Sequence, residues 1–386
     1  MKGGTVRLLH LSDLHVGKRV NEFPMLEDQR FVLEEVVRIV EERAVDAVLI
    51  AGDLYDKALP APAAVALVDW FLDALAQTGA QTFVVPGNHD APERVAYARR
   101  PLDRQGIHIA PPWDGTVTSH VLEDEHGPVT FWLIPFLKPV HVRPYYPDEQ
   151  IASYTDALRR VVASCDVRPD VRNVALSHQF VTAAGSPTER TDSELSLGGI
   201  DDVDVSVYDP FDYVALGHVH RPQRVGRDAV RYSGSPLKYS FSEIPGTKSA
   251  PLVELGAPGS APAVELVTLP ALHDMRCIRG PLAELTDPAT VAAADPADYL
   301  RVVLTDEEPP LDAIGKLRTV YPNVMGVEFD NARTRAAGVD GPAPADARDR
   351  DPIELFSDFY KQQNGRGLSP SQLVVLREVF EEAQVM

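Results

Sequence analysis

Residues 84–92 read VVPGNHDAP. An apolar run suited to a buried strand stops abruptly at Gly87-Asn88-His89-Asp90, residues that make poor sheet and poor helix. Glycine there suits a tight turn with unusual dihedrals. Behind it an amide, an imidazole and a carboxylate follow one another. The trio offers oxygen and nitrogen donors to a metal ion, or an acid with a carboxylate to orient it. Working outward, the same event recurs at four other places. Asp13 and His15 follow VRLLHLS, Asp53 follows AVLIAG, His178 closes NVALS, and His218 with His220 closes YVALG.

The stretches between these runs are helical in pattern. EDQRFVLEEVVRIVEERA places Leu33, Val36, Val37 and Val40 at i, i+3, i+4 and i+7, one buried face. PAPAAVALVDWFLDALAQ reads as a second helix, and VTFWLIPF, NVALSHQ, FDYVALGH, RYSGSP and APLVELG as later β segments. Strands alternating with helices imply an α/β sandwich in which helices cover sheets. Ligands bind at the carboxyl ends of strands in layered α/β proteins. Strands that end together would therefore gather Asp13, His15, Asp53, Asn88, His178, His218 and His220 into one site.

Composition narrows the chemistry. The chain has 386 residues, 44% hydrophobic and 24% charged, ordinary values for a globular protein of two or three domains. No run is long and apolar enough for a membrane span, and MKGGTVRLLHLSD lacks the apolar core of a signal peptide. Cys165 and Cys277 are the only cysteines, too few for a disulfide framework and in keeping with a reducing cytoplasm. A metal site here must use oxygen and imidazole nitrogen. The net charge of −20 counts against a protein that coats nucleic acid. A local basic rim can still steer a polyanion, however, and carboxylates that bind cations enter the sum as bare negative charge.

Four histidines, two aspartates and one asparagine suit divalent manganese, iron or zinc, and disfavour a sulfur-ligated structural zinc. Seven donors exceed what one tetrahedral ion uses. Two ions sharing a carboxylate would use them all, the pattern that clamps both oxygens of an in-line displacement at phosphorus. Each motif alone is ordinary turn chemistry; five in order, each at a strand end, are not. His10, His108, His120, His126, His141 and His273 are left as core or surface residues.

The ordered set DLH, GD, GNHD, SH and GHVH resembles the calcineurin-like metallophosphoesterase superfamily. LLHLSDLHVGKR, LIAGDLYDKALP, VPGNHDAPERV and ALGHVHRPQRV with RYSGSPLKYSFSE are similar, within it, to the SbcD family, nuclease subunits of the bacterial SbcC–SbcD DNA-repair complex. The resemblance implies a two-sheet αββα sandwich with a small α/β capping domain and C-terminal helices. It implies two Mn2+ ions, or other divalent metals: Asp13, His15, Asp53 and His220 on one, Asp53, Asn88, His178 and His218 on the other, with Asp53 bridging. His89 would then act on the substrate phosphate as a catalytic residue, with Asp90 orienting it. Some relatives carry a histidine where this chain has Asp56, so Asp56 is assigned no role; the Asp-Arg-Gly of the protein-phosphatase branch is absent from GDLYDKAL. Lys18 and Arg19, close behind His15, are candidate contacts to DNA phosphates, as are the arginines of 94–104.

The expected divisions are a nuclease domain over 1–271, a capping domain over 272–331, an Ala/Pro/Gly/Asp-rich linker over 332–350 and a helix-loop-helix over 351–386. Both C-terminal helices open on a cap, a proline and a Glu or Gln: Asp351-Pro352-Ile353-Glu354 and Ser369-Pro370-Ser371-Gln372. Their apolar stripes need a surface, and the resemblance names the SbcC ATPase as what supplies it. The expectation is a cytoplasmic, homodimeric, Mn-dependent nuclease, cutting duplex ends as an exonuclease and single strands or hairpins as an endonuclease. A small-molecule phosphodiesterase and a non-catalytic scaffold for the ATPase are the alternatives.

Overall fold

In a strand, alternate residues face opposite sides, and that alternation builds the protein from the inside out. The structure is a computed structural model describing residues 4–183, 188–189, 191, 202–331, 334, 352–364 and 367–376. One six-stranded sheet runs in the order Ala263–Thr268, Ser249–Leu255, Val6–Leu11, Ala47–Ala51, Gln81–Val85, Ile107–Ile109. Its last four strands are mutually parallel and the first two antiparallel. The other sheet runs Gln223–Val225, Arg227–Tyr232, Tyr213–Gly217, Arg172–His178, Gly127–Ile134, Thr118–Asp124, parallel through its middle four.

Inner faces meet in a buried layer where Val6, Leu8, Ala47, Leu49 and Phe83 of the first sheet pack with Phe131, Leu133, Val174, Leu176 and Ala215 of the second. His10 continues the inner register and bridges the sheets. Its Nε2–H donates to the Leu216 carbonyl at 3.1 Å, which leaves Nδ1 to accept from the Tyr213 hydroxyl at 3.0 Å. Outer positions take the helices. Leu9, Leu11, Val48 and Ile50 face Val32, Val36, Leu67 and Phe71 of helices Leu26–Glu42 and Pro62–Thr78. Ala175, Val214 and Leu216 face Leu158 and Val161 of helix Tyr154–Ala163. The result is the helix–sheet–sheet–helix sandwich. Helix 154–163 was not foreseen. Ser153 and Asp156 form a reciprocal cap at its start, and ten residues suffice because one face is buried.

Met275–Gly280, Tyr299–Leu304 and Val324–Phe329 form a three-stranded sheet, with helix Ala313–Arg318 between the last two strands. Tyr299 donates to the buried Asp28 carboxylate at 2.7 Å, and Met275, Tyr299 and Met325 join the core beneath the first sheet's helices. Compact units divide the chain as 1–303 with 312–328, and 304–311 with 329–386. In the second unit lie helix Pro352–Asn364 and helical residues 370–376. The Ser369 cap is formed: Ser369 N–H donates to Gln372 Oε1 at 2.9 Å, and Gln372 N–H to Ser369 Oγ at 3.3 Å. Asp351 and nearly all of the expected 332–350 linker fall outside the described residues. No helix among those described is long and apolar enough to cross a membrane.

Candidate metal centre

Parallel strands within each sheet bring their carboxyl ends to one edge, and the seven donors named from the sequence meet there. His15 Nε2 lies 3.1 Å from His220 Nε2 and 3.6 Å from Asp53 Oδ2. The same Asp53 oxygen is 3.3 Å from His178 Nε2. Asn88 Oδ1 stands 3.0 Å from His178 Nε2 and 2.9 Å from His218 Nδ1. Donor atoms of Asp13, His15 and His220 group within 4.8 Å of one another, as do those of Asp13, Asp53 and His178. Asp53 thus touches both halves of the cluster.

The backbone bends sharply to aim these groups. Asp13, His15, Asp53 and His218 all have positive φ, at 53°, 44°, 51° and 101°, which is costly for residues with a Cβ and concentrates at functional sites. Two glycines let the strand ends close in. A Cβ on Gly52, itself at φ +92°, would lie 2.1 Å from His178 Nδ1, and one on Gly87 would lie 2.1 Å from Asp53 Oδ1.

Second contacts fix the first. His178 Nδ1–H donates to the Ala51 carbonyl at 2.8 Å, which turns Nε2 toward Asp53. Asp13 accepts from the His218 amide at 3.0 Å and the Ser12 hydroxyl at 2.5 Å. Beneath His220, the buried Lys248 ammonium binds the His220 carbonyl at 2.9 Å and the Glu243 carboxylate at 2.5 Å. Tyr239 donates to the Leu14 carbonyl at 2.6 Å and presents its ring at right angles to His15. Sequence reasoning missed Lys248, Glu243 and Tyr239, because Lys248 and Tyr239 act through the distant carbonyls of His220 and Leu14, and Glu243 acts through Lys248.

The electrostatics are those of a cation site. Burial, with Asp53 adding to it, pushes Asp13 up to about 7. Burial alone would also raise Asp53, but the neighbouring imidazoles, His178 foremost, hold it well below the usual carboxylate range. Burial works against a charged His178 and the Asp53 carboxylate overrides it, to about 9. His15 is driven down to about 3 and His220 well below its ordinary value by burial. His15 Nδ1 is buried with no hydrogen-bond partner among the described residues. Two buried carboxylates, four imidazoles and an amide oxygen form a donor set that fits divalent metal, and no cysteine intrudes.

The residues assigned to catalysis and substrate part company. His89 is exposed at the cluster's rim, its ring edge-on to His15 at 4.8 Å, and its Nδ1–H donates to the Asp56 carbonyl at 3.0 Å. Asp90 does not orient it. The buried Asp90 carboxylate accepts instead from the amides of Leu54, Tyr55 and Gly87 at 3.0, 3.0 and 2.9 Å, tying the turn to the loop after Asp53. Asp56, given no role from sequence, is what holds His89. It also binds Lys18 Nζ at 2.8 Å, so Lys18 is already paired with an anion, while exposed Arg19 donates to the Glu22 carbonyl of its own hairpin. The GD-x-x-D spacing is the signal that marks Asp56, but a carbonyl contact leaves no trace in side-chain chemistry. Elsewhere Asp103, His108 and His120 gather at the surface, with both His108 nitrogens engaged by Asp103 and Gln81.

A family model described as calcineurin-like phosphoesterase matches residues 6–222, and one described as the type 5 capsule protein repressor C-terminal domain matches residues 271–364. The chain is 27% identical over 372 residues to the SbcD subunit of nuclease SbcCD from Staphylococcus epidermidis, covering 95% of this chain and 96% of that one. Among solved structures it is similar to GAP50, the anchor in the inner membrane complex of Plasmodium, at 13% identity, TM-score 0.43, and 85% and 98% coverage of the two chains. TT1561 of Thermus thermophilus matches at 17% identity, TM-score 0.40, and 69% and 100% coverage. Both structural likenesses are slight, and no functional reading rests on them.

Proposed function

This chain belongs to the calcineurin-like phosphoesterase family, and from that premise we propose that it is the nuclease subunit of an SbcC–SbcD-type complex, hydrolysing DNA phosphodiesters with divalent metal. The observation that carries the proposal is the donor cluster from five strand ends, joined through Asp53. Asp13, His15, Asp53 and His220 would hold one ion and Asp53, Asn88, His178 and His218 the other, two Mn2+ in the expected case. Bound there, such ions polarise a phosphoryl oxygen and lower the pKa of water.

The chain's own residues do the rest. Asn88 and His218 mark the mouth through which a phosphate reaches the cluster. His89 stands at that mouth with Nδ1–H fixed by the Asp56 carbonyl. The protonated ring therefore carries its second proton on Nε2, positioned to pass to the sugar oxygen as it departs from phosphorus. Asp90 keeps the turn in place, so its part is positioning. Arg19, exposed behind His15, is the better placed of the two basic residues to meet a strand's phosphate, since Lys18 is occupied by Asp56.

The domain limits at 271, 331 and 350 form part of the same proposal. Helix Pro352–Asn364, with Phe356 and Phe359 exposed, and the helix after Ser369, with Val374 and Val375 exposed, suit docking on the SbcC ATPase. Homodimerisation, a cytoplasmic setting, and exonuclease action at duplex ends with endonuclease action on single strands and hairpins complete it. Incubating the purified chain with an end-labelled hairpin duplex and Mn2+ tests the activity. Cleavage abolished by chelator is the expected result, and an intact hairpin in the presence of Mn2+ would refute it.

A further inference from the structure

A cavity of about 1030 Å3 opens beside the metal centre, and none of the chemistry above uses it. Asn88 and His218 belong to its wall as well as to the donor cluster, so the space begins where a bound phosphate would end. The remaining wall carries the rings of Trp113, Phe136, Tyr145 and Phe180 among prolines and aliphatic residues, with Glu93 and Lys138 also lining it. Phe136 lies nearly parallel to the His218 ring, 15° apart at 6.5 Å, and edge-on to His178 at 6.2 Å, which carries the aromatic surface up to the ligands. Trp113 and Tyr145 meet edge to face at 6.0 Å. Gly115, at φ +95°, runs so close beneath Tyr145 that a Cβ would sit 2.5 Å from its ring. Close backbone approach built this wall.

Two polar atoms of the wall residues are buried without a partner among the described residues: Trp113 Nε1 and Gln179 Oε1. Gln179 is fully buried, and its amide nitrogen donates to the Leu137 carbonyl at 3.0 Å, so the oxygen is the end left over. A buried donor or acceptor left unpaired is costly. One of each, in an aromatic cavity of ligand size, suits a flat molecule carrying both an acceptor and a donor on its edge.

We propose that this cavity takes the base of the nucleotide next to the phosphate at the metal centre, held out of its stack against the aromatic wall. Trp113 Nε1–H and Gln179 Oε1 meet an acceptor and a donor on the base. The assignment rests on the DNA activity proposed above. All four bases present a π-face and at least one donor and one acceptor on the pairing edge, so the cavity grips without choosing sequence. A base can enter only when unpaired, and the cost of unstacking is least where the strand is single or frayed. The cavity therefore favours hairpin loops and open ends over intact duplex.

The test uses the full chain with Mn2+ and two single-stranded oligonucleotides that differ at one position, a normal nucleotide in one and a tetrahydrofuran abasic residue in the other. Cleavage of the bond beside the abasic residue should fall by about tenfold or more against the same bond in the base-bearing strand. Trp113→Leu and Gln179→Leu should each narrow that ratio by slowing cleavage of the base-bearing strand. Equal cleavage of the two strands by the wild type overturns the base pocket and leaves the nuclease standing; cleavage of neither removes both. A second measurement needs neither variant nor turnover. Deoxyadenosine monophosphate should quench the wild-type tryptophan emission and deoxyribose 5-phosphate should not, and an equal response to the two, or none to either, overturns the proposal.

Discussion

His89 and His10 show how far a single imidazole is decided by what surrounds it. His89 is exposed and anchored at one nitrogen by the Asp56 carbonyl, with its ring edge-on to His15 at the rim of the cluster. His89→Gln should lower kcat by about 10²–10⁴-fold while metal content, measured by elemental analysis, stays at the wild-type value. Turnover within a factor of about two of wild type would remove His89 from the chemistry. His10 is sealed between the sheets, and burial holds it down to about 3, against an ordinary 6.5. The folded chain keeps it neutral while the unfolded chain takes up a proton below 6.5, so its stabilisation is whole above that pH and is lost as pH falls toward 3. In urea unfolding of metal-free protein, the advantage of wild type over His10→Gln should shrink by about 1.4 kcal/mol per pH unit between about pH 6 and about pH 5. A gap that does not move with pH contradicts the buried neutral form. At this scale the seven donors were legible because each side chain follows an apolar run. Asp90 was misread because adjacency to His89 in a turn does not make two side chains face each other. The Asp56 contact is made by a carbonyl, which every residue has, and so no residue type announces it.

At the scale of elements, the turn 87–90 is a structural unit in its own right. The Asp90 carboxylate gathers three amides from two segments, and Asp90→Ala leaves all three without it. Urea unfolding should show a loss on the order of 3 kcal/mol. A change within about 0.5 kcal/mol would mean that the turn is held by something else. The C-terminal helices carry a different expectation: a chain lacking 351–386 should keep Mn-dependent cleavage of a hairpin and lose co-purification with the SbcC ATPase. Retained binding would return those helices to the chain's own surface. Strands and long helices could be read directly, since a continuous apolar run such as Ala47–Ala51 and a 3.6-residue period over seventeen residues such as Leu26–Glu42 are strong signals. Helix Tyr154–Ala163 was harder to see: its apolar face is only Ala157, Leu158, Val161 and Val162, and Arg159 and Arg160 interrupt the run. The edge strand Thr118–Asp124 has no fully buried residue and is held by pairing with Gly127–Ile134, a long-range fact.

Across the whole molecule, the layered architecture follows from alternation on both sheets, each strand sending one set of residues to the shared inner layer and the other to a helix. The sequence implied those layers, and it implied that strand ends would meet. It could not say which side chains would come within reach of which, because that depends on two sheets facing one another and on glycines that admit close approach at positions 52 and 87. The cavity lined by Trp113 and Gln179 was likewise invisible, since its walls come from six separate segments. Everything functional depends on Asp53 serving both halves of the cluster. Diffraction from crystals grown with Mn2+, recorded at the manganese absorption edge, tests this most directly. Two anomalous peaks sharing the Asp53 carboxylate, one beside His15 and His220 and the other beside Asn88, His178 and His218, are the predicted result. A single peak, or ions bound away from Asp53, would contradict it.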